Sequence, residues 1–148
     1  MPEKETLERA KEDKREGKAP STQAGEFVRE EIEHVREGKH GARSAKQAIA
    51  IGLAKARRAG VDLPPPEKGT TSTETRKQAA RDLRKGKSAS KGKKSAKRSR
   101  ATARALKREG HSAASKTALS RQARSAAKKR SAASRSRAAK KAAKTRKK

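Results

Sequence analysis

The chain contains no cysteine, tryptophan or tyrosine, and Phe27 is its one aromatic residue. Without thiolates, disulfides and cysteine-ligated metals are excluded. Because Phe27 is the only aromatic residue and lies in the hydrophobic part of the chain, the base-stacking surfaces of many RNA-binding domains are excluded too. No long apolar run exists, and no apolar signal region follows Met1. The sequence therefore predicts a cytoplasmic protein without a membrane span.

Hydrophobic residues are scarce, at 29% of 148 residues, whereas 41% are charged. Large apolar residues number 14, and nine of them lie within residues 27–63. A segment of that size buries little surface by itself. The remainder has the low hydrophobicity and high charge that are typical of disordered chains. We therefore expect one small folded part in an otherwise largely disordered protein.

The chain has a formal net charge of +28, and acidic residues become rare in its C-terminal half. Residues 1–67 contain 14 Lys/Arg and 13 Asp/Glu, whereas residues 68–148 contain 30 and 3, with no acid after Glu109. A basic segment of this kind needs a polyanion as its partner. The sequence predicts a near-neutral head and a basic arm that binds nucleic acid, DNA rather than RNA.

The first amphipathic helix is predicted over residues 26–37. Val28, Ile32 and Val35 recur at the i, i+4, i+7 spacing of one helix face. Gly38 is suited to end the helix, since glycine readily adopts the left-handed conformation of a C-terminal cap.

The second amphipathic helix is predicted over residues 45–59. Ser44 and Gln47 have the capping-box spacing at its start. Ile49 and Leu53 begin its apolar stripe, which predicts a helical hairpin with the preceding helix. If this stripe is exposed, it offers a surface for a homodimer.

The predicted fold class is mostly α. We expect a small helical hairpin (about 26–37 and 45–59), short isolated helices, a coil over residues 86–100, and a largely disordered basic C-terminal arm. Three consecutive prolines from Pro64 begin a stiff linker. The expected divisions are 1–20, a polar helix or disordered N-terminus; 21–63, the hairpin head; 64–71, the proline-rich linker; and 72–148, the basic Ala/Ser/Lys/Arg-rich arm.

Two stretches of the sequence carry a family resemblance: GEFVREEIEHVREGKHGARSAKQAIAIGLAKARRAGVDLPPP and RALKREGHSAASKTALSRQARSAAKKR. Together they resemble a family of short basic bacterial proteins, often labelled as DNA-binding or plasmid-stabilisation proteins. The resemblance covers residues 25–148, is most specific in SAKQAIAIGLAKARRAG, and implies a bacterial origin and a shared fold. Separately, the composition of the tail is similar to the Ala/Lys-rich arms of linker histones and bacterial histone-like proteins.

The loop GKHG, residues 38–41, allows two interpretations. It has the G-x-x-G pattern with which KH domains clamp nucleotides, with Lys39 and Arg43 as charges and the free amides of a helix start at Ser44. Alternatively, Gly38 ends one helix and Ser44 caps the next. The sequence favours capping, because no strand pattern of a KH fold accompanies the loop. It leaves open whether the loop also binds phosphate.

Catalysis and metal binding are not expected. His34, His40 and His111 are isolated residues; His34 and His40 lie near each other in sequence, but no carboxylate or cysteine set at metal spacing joins them. Glu30 and His34 form an i,i+4 pair of the kind common on solvated helix faces. No nucleophile motif such as G-x-S-x-G is present. We expect no enzymatic activity, no cofactor and no small-molecule substrate.

The predicted function is non-specific binding of nucleic acid, DNA above all, by a histone-like or nucleoid-associated protein whose disordered basic arm folds on binding. Two alternatives remain open: an RNA- or ribosome-associated basic protein, and a protein-interaction module tethered to a polyanion. The cations expected to contact nucleic acid are Lys39, Arg43, Arg57, Arg58, Arg76, Lys77, Arg81, Arg84, Lys85, Lys97, Arg98, Arg100, Arg104, Lys107, Arg108, Lys116, Arg121, Arg124, Lys128, Lys129, Arg130, Lys140 and Lys141.

Overall fold

The computed structural model describes residues 1–88 and 92–146. This part of the chain is all-helical, with 71% of residues in helices and no strands. None of the helices has the length and apolar character needed to cross a bilayer. The helices are α1 Lys4–Arg15, α2 Pro20–Arg36, α3 Ala45–Arg58, α4 Thr73–Lys87, α5 Ala96–Arg108, α6 Lys116–Lys128 and α7 Ala132–Arg146, with a 3₁₀ turn at Ser112–Ala114 before α6.

The predicted fold class is wrong about the basic arm, which contains four of these helices and is not a long disordered segment. Low hydrophobicity predicted disorder, but alanine, arginine and lysine are strong helix formers. Serines define where three of the helices begin. The side chains of Ser72, Ser95 and Ser115 each accept a hydrogen bond from the backbone N–H three residues later.

The expected coil over residues 86–100 is partly wrong, because both of its ends are helical, whereas residues 88 and 92–95 lie outside the helices as expected. Helix α4 continues to Lys87, and α5 begins at Ala96. The middle of the expected coil, residues 89–91, lies outside the described residues.

The contact between α2 and α3 is made by small residues. Ala48, Gly52 and Ala56 are buried, whereas Leu53, which belongs to the predicted apolar stripe, is only partly buried. A Cβ atom placed on Gly52 would lie 2.6 Å from the Cα of Val28. The two helix backbones therefore approach closely at a point where only glycine fits.

Two apolar clusters hold the helices together. One joins α1, α2 and α3 around Phe27. The second joins α2 and α3 to the 3₁₀ turn and the start of α6, so the arm contributes to the core. The buried members are Ala10, Ala24, Phe27, Ala56 and Val61 in the first cluster, and Ile32, Val35, Ala42, Ala48, Ala113 and Ala114 in the second.

The arm and α1 each cover part of the hairpin's apolar surface. Leu119 of α6 packs against the second cluster, and Leu7 of α1 packs against the first. Arg36 fixes the 3₁₀ turn, since its Nε donates to the carbonyl oxygen of Ala114 at 2.9 Å. Among the described residues, Met1 is the one large apolar residue that is exposed. The homodimer through the apolar stripe of the hairpin stays a prediction.

Replacing Gly52 with alanine should destabilise the protein by roughly 1–3 kcal/mol, because the added methyl group meets backbone atoms that cannot move independently. Gly25 provides the matched control. It lies in α2, where an added Cβ would have no atom within 4 Å, so Gly25→Ala should stabilise the protein by about 1 kcal/mol. Urea unfolding followed by circular dichroism measures both changes. Equal stabilisation by the two substitutions would contradict the close helix crossing.

Candidate nucleic-acid interface

The GKHG loop contains the caps of two helices. Gly38 has φ +74°, and the N–H groups of Gly38 and Lys39 donate to the carbonyl oxygens of Val35 and His34 at 3.2 and 3.0 Å. These two bonds are the Schellman pattern of a helix C-terminus. At the other end, the Ser44 side chain accepts from the N–H of Gln47. Capping thus accounts for Gly38 and Ser44 without a ligand.

The second glycine of the loop contacts the end of α5. The N–H groups of Gly41 and Ala42 donate to the carbonyl oxygens of Leu106 at 2.9 Å and Gly110 at 3.0 Å. A Cβ atom on Gly41 would overlap the backbone carbonyl of Glu109. The amides that a phosphate clamp would need from this part of the loop are therefore bonded to the chain itself.

The two loop cations are paired with carboxylates. Lys39 Nζ lies 3.0 Å from Glu37 Oε2 and 3.1 Å from Glu3 Oε1. Hydrogen bonds to Glu37 and then Glu3 raise the pKa of Lys39. Arg43 Nε lies 3.7 Å from Glu109 Oε1. Both positive charges are thus partly compensated within the molecule.

Arg57 was predicted to contact nucleic acid, but its side chain is buried. It is 6% exposed, and its guanidinium donates to the carbonyl oxygens of Leu63 at 3.1 Å and Pro64 at 3.2 Å. Burial lowers the pKa of Arg57, while the charge of Asp82 acts in the opposite direction. The two hydrogen bonds of this arginine hold the beginning of the proline-rich segment against α3.

Two further predicted contacts hold α4 in place. Arg58 Nε lies 3.0 Å from Oδ1 of the buried Asp82. Arg76 Nε donates to the carbonyl oxygen of Pro66 at 2.9 Å. Because these groups are engaged internally, we leave Arg57, Arg58 and Arg76 out of the candidate interface.

The remaining predicted cations are exposed and lack carboxylate partners. Within residues 1–88 and 92–146, none of them lies within 4.0 Å of an acidic oxygen, whereas most acids of the head are paired with head cations. These 18 residues are Lys77, Arg81, Arg84, Lys85, Lys97, Arg98, Arg100, Arg104, Lys107, Arg108, Lys116, Arg121, Arg124, Lys128, Lys129, Arg130, Lys140 and Lys141.

Helical spacing arranges many of these cations in rows. On α5, Lys97, Arg100, Arg104 and Lys107 are separated by three, four and three residues, which places them along one side of the helix. Similar rows lie on α4 and α6, namely Lys77, Arg81 and Arg84, and Arg121, Arg124 and Lys128. The opposite side of α4 carries Ala79 and Asp82, which are buried.

A shallow groove between the start of α3 and α6 brings together cations that are distant in sequence. Arg43, Lys46 and Arg121 line it, together with Gln122 and Ser125 among others. Lys46 and Gln122 were not predicted as contacts. No sequence signal identifies them, because the groove exists only where the arm docks onto the hairpin.

Residues 11–68 match the model of a family of unknown function, DUF6496. The match spans the last part of α1, all of α2 and α3, and the proline-rich segment. No curated protein and no solved structure matches the chain. The bacterial origin and the DNA-binding labels implied by the sequence resemblance therefore stay predictions.

Replacing Gly41 with alanine should separate the loop from the end of α5, because the methyl group would overlap the carbonyl of Glu109. Hydrogen–deuterium exchange of the Ala42 amide, which donates to Gly110, should then become faster. Gly110→Ala is the control, since a Cβ there meets no atom within 4 Å. Unchanged protection of Ala42 in the Gly41 variant would show that this junction does not hold α5.

Proposed function

We propose that the protein binds nucleic acid without sequence specificity, duplex DNA above all, as a histone-like or nucleoid-associated protein. The observation that carries this proposal is the set of exposed, unpaired cations on α4 to α7, which faces almost no negative charge of its own. Cations in such numbers exceed what solubility requires. A polyanion would compensate them.

Helix α5 has dimensions that suit a duplex. Its 13 residues extend about 20 Å, and duplex DNA carries one negative charge per about 1.7 Å of its axis. The row of cations from Lys97 to Lys107 could therefore meet several phosphates along one strand or across a groove. Each phosphate that is neutralised releases condensed counterions, which drives binding at low salt.

Base recognition has little support in the structure. Phe27, the one aromatic side chain, is 1% exposed within the first apolar cluster, so it offers no stacking surface. Rows of lysine and arginine suit the phosphate backbone, whose contacts fix position without reading sequence. The proposal accordingly includes shape or groove-width preference at most.

The mode of binding differs from the one expected from the sequence. The arm's helices are present without a ligand, and its 3₁₀ turn and the start of α6 are fixed to the hairpin by Arg36 and the second apolar cluster. We therefore infer that the cations of α5 and α6 are presented by ordered helices. Chain ordering on binding would then have a smaller entropic cost than folding of a disordered arm.

The test compares two triple substitutions to glutamine that remove equal charge. One changes Lys97, Arg100 and Arg104, which are unpaired; the other changes Arg9, Lys18 and Arg29, which are paired with acids in the head. We expect the first to lower the magnitude of the salt slope of duplex binding by about 0.9 for each phosphate that is no longer neutralised. The second should leave the slope nearly unchanged.

Equal reductions of the slope in the two variants would contradict the proposed interface and favour attraction by net charge alone. The same salt titration with a structured RNA shows whether the protein prefers duplex DNA or RNA. Tighter binding to the RNA at matched salt would replace the DNA-binding proposal with the RNA- or ribosome-associated alternative. If neither polyanion binds near physiological salt, the proposal fails.

A further inference from the structure

One turn of α2 and the loop after it bring three metal-binding side chains together. Glu31 and His34 are three residues apart on α2, so their side chains lie on neighbouring turns. The left-handed turn at Gly38 brings His40 back towards the helix. One ligand atom from each of Glu31, His34 and His40 lies within 4.8 Å of the other two. The sequence separates these residues too irregularly for a metal motif to be evident.

The donor set and its spacing suit one class of ion. Two imidazole nitrogens and one carboxylate oxygen, with water as the fourth ligand, form a common zinc site. Metal–ligand bonds of about 2.0–2.1 Å put tetrahedral ligand atoms about 3.3 Å apart. His40 Nε2 and Glu31 Oε1 lie 3.1 Å apart. We propose that Glu31, His34 and His40 bind a divalent transition-metal ion of the Zn²⁺ type.

The surroundings orient two of these ligands as metal sites require. His40 Nδ1 lies 3.0 Å from the carbonyl oxygen of Gly41, which suits an Nδ1–H donor and leaves Nε2 with its lone pair towards Glu31. Lys55 Nζ lies 2.6 Å from Glu31 Oε2, and the other carboxylate oxygen remains for the ion. Such outer contacts fix the orientation of the ligands.

A cation at this place resolves an electrostatic conflict. Glu31 is 1% exposed; its Oε2 is ion-paired with Lys55, whereas its Oε1 has no partner with hydrogen-bond geometry. A neutral His40 that donates from Nδ1 would turn a second lone pair towards Glu31 Oε1. Two acceptors facing each other in a buried site are unfavourable, and a bound ion converts both into ligands.

The site is open on the side of the N-terminus. The side chains of His34 and His40 are 13% and 17% exposed. Glu3 Oε1 lies 3.0 Å from His34 Nε2 and also contacts Lys39 Nζ at 3.1 Å. Both Glu3 and Lys39 are about half exposed, so they can move aside to admit a hydrated ion.

The position of the site indicates a structural role. An ion bound there would link α2 to the loop that contains Gly41 and Ala42, the residues that bond to the end of α5. The ion would therefore stabilise the junction between the hairpin and the arm. This inference depends on Glu31, His34 and His40 and not on nucleic-acid binding.

The first experiment titrates the full chain, without a histidine tag, with Co²⁺ and then with Zn²⁺. We expect one equivalent of Co²⁺ to produce the visible absorption of a tetrahedral site, and Zn²⁺ to displace it. Zn²⁺ should also raise the Tm, whereas Mg²⁺, which prefers oxygen ligands, should not. No saturable Co²⁺ signal and no Zn²⁺-dependent rise in Tm would overturn the proposal.

Substitutions then assign the ligands. His34→Ala, His40→Ala and Glu31→Gln should each weaken Zn²⁺ binding by at least about tenfold in calorimetry. His111→Ala and Glu33→Gln are the matched controls, because His111 and Glu33 are outside the three-residue cluster. Equal weakening by the controls would overturn the assignment.

If the substituted proteins fail to fold, a measurement on the unsubstituted protein still tests the proposal. In NMR spectra of the imidazole rings, one equivalent of Zn²⁺ should shift the nitrogen resonances of His34 and His40 and leave those of His111 in place. Equal, unsaturable shifts at all three histidines would overturn the proposal. The cluster would then be an imidazolium–carboxylate ion pair and not a metal site.

Discussion

The arrangement of this protein depends on a backbone contact between two loops that are distant in sequence. Gly41 and Ala42, which follow α2, donate their N–H groups to the end of α5, and the absence of a Cβ at Gly41 allows the approach. Beside this contact, Ala113 and Ala114 complete the apolar cluster around Val35. A chain with few large apolar residues therefore builds its core from close backbone approach and small side chains.

The same arrangement separates the charges. Acids of the head pair with nearby cations, as in the contacts of Arg9 with Glu26 and of Lys55 with the buried Glu31. Few acidic residues remain to form ion pairs with the cations that follow Asp82 in the chain. These cations consequently line the exposed sides of helices, where a polyanion can reach them. The proposed metal site lies beside the junction that joins the hairpin to α5, a helix whose exposed side belongs to the proposed interface.

Much of the local structure could be predicted from sequence. The periodicity of Val28, Ile32 and Val35 indicated α2, and Ser44 with Gln47 marked the start of α3. Disorder of the arm was the main wrong prediction, because composition was weighed above helix propensity and serine caps. The role of Arg57 could not be foreseen, since an arginine in a basic stretch gives no signal that its guanidinium will be buried against backbone carbonyls.

The sequence by itself determined the charge asymmetry, the absence of base-stacking chemistry and the starts and ends of several helices, because these depend on residue type and on neighbours within a few positions. Only the tertiary structure decided that Gly41 meets the end of α5, that Lys39 is paired with Glu3, and that Glu31 joins His34 and His40. These contacts depend on how the helices and loops pack against one another, and no local pattern encodes that geometry.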